Sequence, residues 1–313
     1  MLIEWPAVRA FRRNIKIGYD FALETCGPAA NDWRRPRPDL RALNDRGQIM
    51  NTTKSEQILR ALTDFRIETP SWGFANTGTR FGKFIQAAAA TTTEEKFSDA
   101  GQVHLLTGIC PSVALHVLWD FPEGVRSVEE IHKLSERFGV QAGSINPNLF
   151  QDQEYKHGSF GNPDPVIRKR ALEHVKDSIA IARRLRCRDI SMWFADGSNY
   201  PGTANIRRRK KYFEELLRAS HEELATAQRL LVEYKPFEPA FYHTDIADWG
   251  MALHFARFAG PQAKVLVDTG HHYAAQNIEQ IVAWLLAEDM LGGFHFNDRR
   301  YAEIGRASCR ERV

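Results

Sequence analysis

"KVLVDTGHH", Lys264 to His272, is the stretch on which the fold turns. An uninterrupted apolar run, Val265 to Val267, gives way to an aspartate, a Thr-Gly turn and two histidines. That is the form of a strand buried on both faces, with polar groups only at its C-terminal end. "LLVEYKPF" (Leu230 to Phe237) has the same form and ends on Glu233 and Lys235, and "GGFHFND" (Gly292 to Asp298) ends on His295. Four further strand candidates lie upstream: "RIETPSWGF" (Arg66 to Phe74), "VALHVLWD" (Val113 to Asp120), "QAGSINPNLF" (Gln141 to Phe150) and "DISMWFADG" (Asp189 to Gly197). Helix-like segments alternate with them, at Ser127 to Phe138, Pro165 to Leu185, Arg207 to Gln228, Thr244 to Phe258 and Asn277 to Leu286, each with apolar residues three and four apart.

Alternating strands and helices imply β/α units on a parallel sheet. The polar residues gather at one end of most strands, which suits the mouth of a (β/α)8 TIM barrel, where every strand end faces one site. A doubly wound sheet collects its ligand at a single switch point and usually carries a glycine-rich phosphate turn, which is missing here. A TIM barrel is therefore the expected fold class. Only seven strands are visible, and the eighth would follow His295, so the barrel is expected to be incomplete, its eighth strand and C-terminal helices missing.

Composition sets the outer bounds. The 313 residues exceed the roughly 250 of a single barrel, and a net charge of +3 announces neither a nucleic-acid nor a membrane partner. No apolar run approaches the roughly 18 residues of a membrane span, and the N-terminus has no secretory h-region, so a cytoplasmic protein is expected. Cys26, Cys110, Cys187 and Cys309 are widely spaced and form no C-x-x-C pair, which points to neither a zinc knuckle nor a disulfide framework.

Glu233, Asp268 and His295 offer two hard oxygens and one nitrogen from successive strand ends, a set suited to Mn²⁺, Mg²⁺ or Co²⁺ rather than to a thiolate zinc site. The D-x-x-H spacing adds His271, and Glu233 is placed to bridge two ions. Any single acid at a strand end is commonly one half of a structural ion pair. Four ligand-type residues at matched ends are another matter, because burying them together without a cation is costly. His272 and His243 are expected in supporting or surface positions. Trp72, Trp119 and Trp193 offer flat apolar walls for the C–H faces of a sugar, with His116 and Lys235 to hydrogen-bond its oxygens.

These residues, within "PSWGFANTGTRF", "MWFADGSNYPG", "VEYKPFEPAFY", "VDTGHH" and "GGFHFNDRRYA", resemble the bacterial L-rhamnose isomerases of broad specificity, a branch of the xylose-isomerase-like TIM barrels; the similarity runs from about Ile67 to Ala302. The resemblance implies an aldose–ketose isomerase interconverting L-rhamnose and L-rhamnulose and related sugars. It implies two divalent ions that polarise O1 and O2, Mn²⁺ first, with Mg²⁺, Co²⁺ or Zn²⁺ as substitutes. One ion would be held by Glu233, Asp268 and His295, the other by Glu233 and His271. Lys235, His116, Trp72, Trp119 and Trp193 match residues lining the sugar site. Phe81 matches an aromatic that reaches a neighbouring subunit's site, which implies a homotetramer. A sugar epimerase, or another xylose-isomerase-like enzyme, and a non-catalytic sugar-binding barrel are the alternatives. The epimerase would use a pair of opposed glutamates, of which the visible chain offers only one at a strand end.

Both ends of the chain stand apart. "EIGRASCRERV" reads as a frame through a sequencing adapter, where the family would continue with an acidic stretch and an eighth strand. Residues 303–313 are therefore expected to be non-native and the chain by itself inactive. Residues 50–302 form the partial barrel domain, and 1–49, rich in Arg and Pro, are an extension or an early start, since Met50 opens like a natural beginning.

Overall fold

A computed structural model describes residues 53–75, 87–198, 204–238, 242–273 and 276–297. Phe81, residues 1–49, Asp298 and the 303–313 tail lie outside the described residues. The chain divides into two compact units, Met1–Arg66 and Ile67–Val313. In the first, α1 (Lys54–Thr63) begins in a capping box: Thr53 accepts from the Glu56 amide while the Glu56 side chain accepts from the Thr53 amide.

The second unit is built on seven parallel strands. They are β1 (Glu68–Pro70), β2 (Ser112–His116), β3 (Gln141–Asn146), β4 (Asp189–Met192), β5 (Arg229–Glu233), β8 (Ala263–Asp268) and β9 (Leu291–His295), hydrogen-bonded in that order. Two short strands, β6 (Phe237–Glu238) and β7 (Tyr242–His243), make a separate antiparallel ribbon. The connecting helices are α2 (Thr93–Thr107), α3 (Val128–Phe138), α4 (Pro165–Leu185), α5 (Ile206–His221), α6 (Trp249–Ala259) and α7 (Ile278–Ala287). Together they form an incomplete (β/α)8 barrel, the architecture expected from the strand and helix pattern. The outermost strands, β1 and β9, are only partly buried, in contrast to β5 and β8 between them.

Alternation along each strand separates two faces. Val113, Leu115, Ile190, Leu230, Val232, Val265 and Val267 enter one core with helix residues such as Ala171, Val175, Ile179 and Ala182 of α4. Ser191, Glu233 and Asp268 alternate to the other face. α4 shows why the sequence folds this way locally: Asp164 caps it, Pro165 fills its first turn, and its buried residues recur three and four apart. On the inner side, β3 bulges where the register slips against Val113 and Leu115. Ser144 there donates from its amide (2.8 Å) and hydroxyl (2.5 Å) to the Glu68 carboxylate, which a Cβ at Gly143 would overlap.

Each parallel strand ends earlier than its candidate segment, because the polar residues that close the segment belong to turns and loops. Residues 71–74 form a 3-10 turn, and β2 stops at His116. Two helices are also trimmed. α6 begins at Trp249, capped by Asp248, since Thr244 bonds to the Lys235 carbonyl and Asp245 pairs with Arg209. α5 ends at His221. No described helix is long and apolar enough to cross a membrane.

Candidate functional site

Three of the proposed ligands are the last residues of their strands: Glu233 of β5, Asp268 of β8 and His295 of β9. Asp268 and His295 stand opposite one another in the ladder. His271 follows in the turn after β8, where Asp268 Oδ1 accepts from the Gly270 amide at 2.7 Å and so folds the chain back. The four side chains converge. His271 Nδ1 lies 3.1 Å from Glu233 Oε1 and its Nε2 lies 3.6 Å from Asp268 Oδ2, while His295 Nδ1 is 3.3 Å from Glu233 Oε2 and 4.0 Å from Asp268 Oδ2. Ligand atoms of Glu233, Asp268 and His271, all buried, fall within 4.8 Å of one another.

Electrostatics mark the cluster as a place for positive charge. Burial works to raise Glu233, but the His295 and His271 imidazoles hold it well below the usual carboxylate range. Burial and the neighbouring Glu233 charge raise Asp268 against the pull of the two histidines. Burial works to lower His295, yet the Glu233 and Asp268 charges raise it. Two buried acids so close compete unless a cation is shared between them. A carbonyl can only accept, so the 3.0 Å contact of His271 Nδ1 with the Tyr234 carbonyl puts the proton on Nδ1 and leaves the Nε2 lone pair directed at the cluster. This donor set, hard oxygens with imidazole nitrogens, fits a divalent ion of the Mn²⁺, Mg²⁺ or Co²⁺ kind.

Beside it runs an arc of rings. Lys235 Nζ is 5.5 Å from the Trp193 ring centre; Trp193 meets Phe150 at 4.9 Å, and Phe150 meets His116 at 5.6 Å. His116 carries Trp119 at 4.0 Å and Trp72 at 5.6 Å. Lys235 and His116 are buried, whereas Trp72 and Trp119 are partly exposed. Thus Trp72, His116, Trp119, Trp193 and Lys235 all lie at or just beyond the strand ends.

Phe150 is the member that sequence reading passed over, although it ends the same segment as β3 and so sits at the same edge. Tyr234, which follows Glu233, places its hydroxyl 2.6 Å from Nε2 of the buried His272. His243 is exposed on the ribbon. Asp245 is held by Arg209, and Asp289 by Lys264, so neither joins the cluster.

Residues 112–311 match the model of the "Xylose isomerase-like TIM barrel" family. Relatives include a "Probable sugar isomerase" of Rhizobium meliloti (strain 1021), 36% identical over 76% of this chain and 56% of its own length. A second, of Mesorhizobium japonicum, is 36% identical over 79% of this chain and 58% of its length. The chain thus spans about half the length of the curated relatives it matches. Among solved structures, a 3-keto-D-glucoside 4-epimerase from E. coli superposes with a TM-score of 0.55 at 14% identity, covering 75% of this chain and 79% of the other. A D-allulose 3-epimerase from Methylomonas sp. gives 0.55 at 14%, over 75% and 72%. At that identity the likeness concerns the fold. With the family match extending over well over half of its residues, this chain belongs to the xylose isomerase-like TIM barrels.

Proposed function

We propose that the protein to which this chain belongs is a metal-dependent aldose–ketose isomerase that interconverts L-rhamnose and L-rhamnulose and related sugars, working as a cytoplasmic homotetramer. The observation that carries this reading is the continuity of the site: Lys235 lies two residues beyond Glu233 and over Trp193, so the ligand cluster and the ring arc form one surface. The names of the two relatives at 36% identity support the same class.

In this reading Glu233, Asp268 and His295 hold one divalent ion, and Glu233 with His271 holds a second, Mn²⁺ being preferred. When bound, such ions supply Lewis-acid polarisation of the sugar's O1 and O2. The chain's own groups do the remainder. Trp72, Trp119, Phe150 and Trp193 cover the C–H faces of the sugar and exclude water, while Lys235 and His116 hydrogen-bond its hydroxyls. His116 Nδ1 donates to the Val117 carbonyl at 3.2 Å, which fixes the tautomer with Nε2 as acceptor. Phe81, by resemblance, completes the site of a neighbouring subunit.

An epimerase would need two acids opposed across the sugar. Among the described residues, the acids that end the seven parallel strands are Glu233 and Asp268, both within the metal cluster, which favours the isomerase. The test is an assay of the full-length protein with L-rhamnose. Ketose formation should disappear in EDTA, return with Mn²⁺, and be absent from His295→Ala at all Mn²⁺ concentrations tried. Sugar binding that is indifferent to chelator, with no turnover, would instead identify a binding barrel.

A further inference from the structure

The ring pair at the centre of the arc rests on a strained turn. After β2 the chain reverses within five residues, the amides of Trp119 and Asp120 both donating to the His116 carbonyl at 3.2 and 2.9 Å. Leu118 at the apex has φ 79°, a region costly for a non-glycine residue, and it is 55% exposed, so burial of its side chain does not compensate. Something else must hold the turn.

That something is a carboxylate with no access to solvent. Asp120 Oδ2 accepts from the His116 amide at 2.8 Å and from the Ser71 hydroxyl at 2.5 Å, while Oδ1 accepts from Lys96 Nζ at 2.6 Å. The Lys96 and Asp120 side chains are 4% and 0% exposed. One group therefore ties together the end of β2, the turn, helix α2 and the 3-10 segment that carries Trp72. The result is the geometry already described, Trp119 laid on His116 at an interplanar angle of 34° and Trp72 set edge-on against the same imidazole.

We propose that Asp120, with Lys96 as its counter-charge, is the positioning residue that forces the turn and so stacks Trp119 on His116, setting the shape of the sugar-facing wall without touching sugar. This rests on the sugar-site reading only for its consequence in binding; the stacking itself can be tested on the 313-residue chain alone. With ¹³C-labelled histidine, the His116 ring signal, identified by its loss in His116→Gln, should be displaced upfield by the Trp119 ring current. Asp120→Asn should reduce that displacement by more than half. Leu118→Gly combined with Asp120→Asn should restore much of it, because glycine adopts the positive φ without a restraining carboxylate.

A general loss of stability would not be mended in this way. If Asp120→Asn alone does not fold, Ser71→Ala, which removes one of the three donors, should give a partial loss of the displacement. A folded Asp120→Asn or Ser71→Ala with the His116 signal unmoved overturns the proposal. In a separate arm, on the full-length protein, the Kd for L-rhamnose should rise about tenfold in Asp120→Asn with Mn²⁺ affinity unchanged. Should the unmodified full-length protein bind no sugar, the functional reading fails while the His116 signal still decides the role of Asp120.

Discussion

The two halves of the barrel mouth are built by different means. On β5, β8 and β9 three of the four ligands, Glu233, Asp268 and His295, are final strand residues, and the fourth, His271, follows only three residues after Asp268. On β1, β2 and β4 the rings of Trp72, Trp119 and Trp193 sit beyond the strands, and the segments around them are tied by buried carboxylates: Asp120 after β2, bonded to Ser71, Lys96 and the His116 amide, and Asp196 after β4, bonded to Ser159 and Gly161. Regular structure suffices for a group that must stand at a strand end. A flat wall needs rings turned through specific angles, and that requires irregular backbone with anchors of its own.

If the halves are independent, each should break alone. Asp268→Asn removes one of the two acids of the metal half, and Mn²⁺ affinity should fall beyond the roughly 100-fold that loss of an outer partner costs. Titration calorimetry measures this, with the His116 ring signal as the internal control, which should not move. Lys96→Met is the converse. It leaves Asp120 buried without its counter-charge and should destabilise the fold by about 3–5 kcal/mol in urea unfolding, with Mn²⁺ affinity unaltered in the folded protein. A loss below about 1 kcal/mol would mean that Ser71 and the His116 amide satisfy Asp120 unaided.

The same division explains what could be read before any coordinates. Runs such as "LLVEYK" and "KVLVDTGHH" carry both their strand and its terminal ligand in one periodic signal, so the barrel and the cluster of Glu233, Asp268, His271 and His295 were legible. Trp72, Trp119 and Trp193 were legible as candidates from their residue type and their place after an apolar run, but not in their orientation. Asp120 left no local trace: its partners Ser71 and Lys96 are 49 and 24 residues away, and an aspartate closing "VLWD" looks like any turn residue. The early ends of β2 and α5 escaped for a related reason, since apolar periodicity continues past the point where backbone hydrogen bonding changes hands.

The buried carboxylate after β4 sharpens the contrast, because its hydrogen bonds come from neutral groups and the arginine near it is paired elsewhere. Asp196 accepts from the Ser159 amide and hydroxyl and from the Gly161 amide, while the nearby Arg209 is engaged by Asp245. Burial and the Asp245 charge push Asp196 from 3.8 up to about 6, against those hydrogen bonds. A carboxyl whose folded pKa is raised binds its proton more tightly in the folded than in the unfolded chain. Its contribution to stability is complete below pH 3.8 and is lost as pH rises through about 6. Asp196→Asn is neutral throughout and retains an acceptor for the two amides. Between those pH values the unfolding free energy of the variant should therefore fall less steeply than that of the parent, by at most about 1.4 kcal/mol per pH unit. Parallel stability curves from urea unfolding across that interval would show that Asp196 remains ionised in the fold, held by its hydrogen bonds and by Arg209.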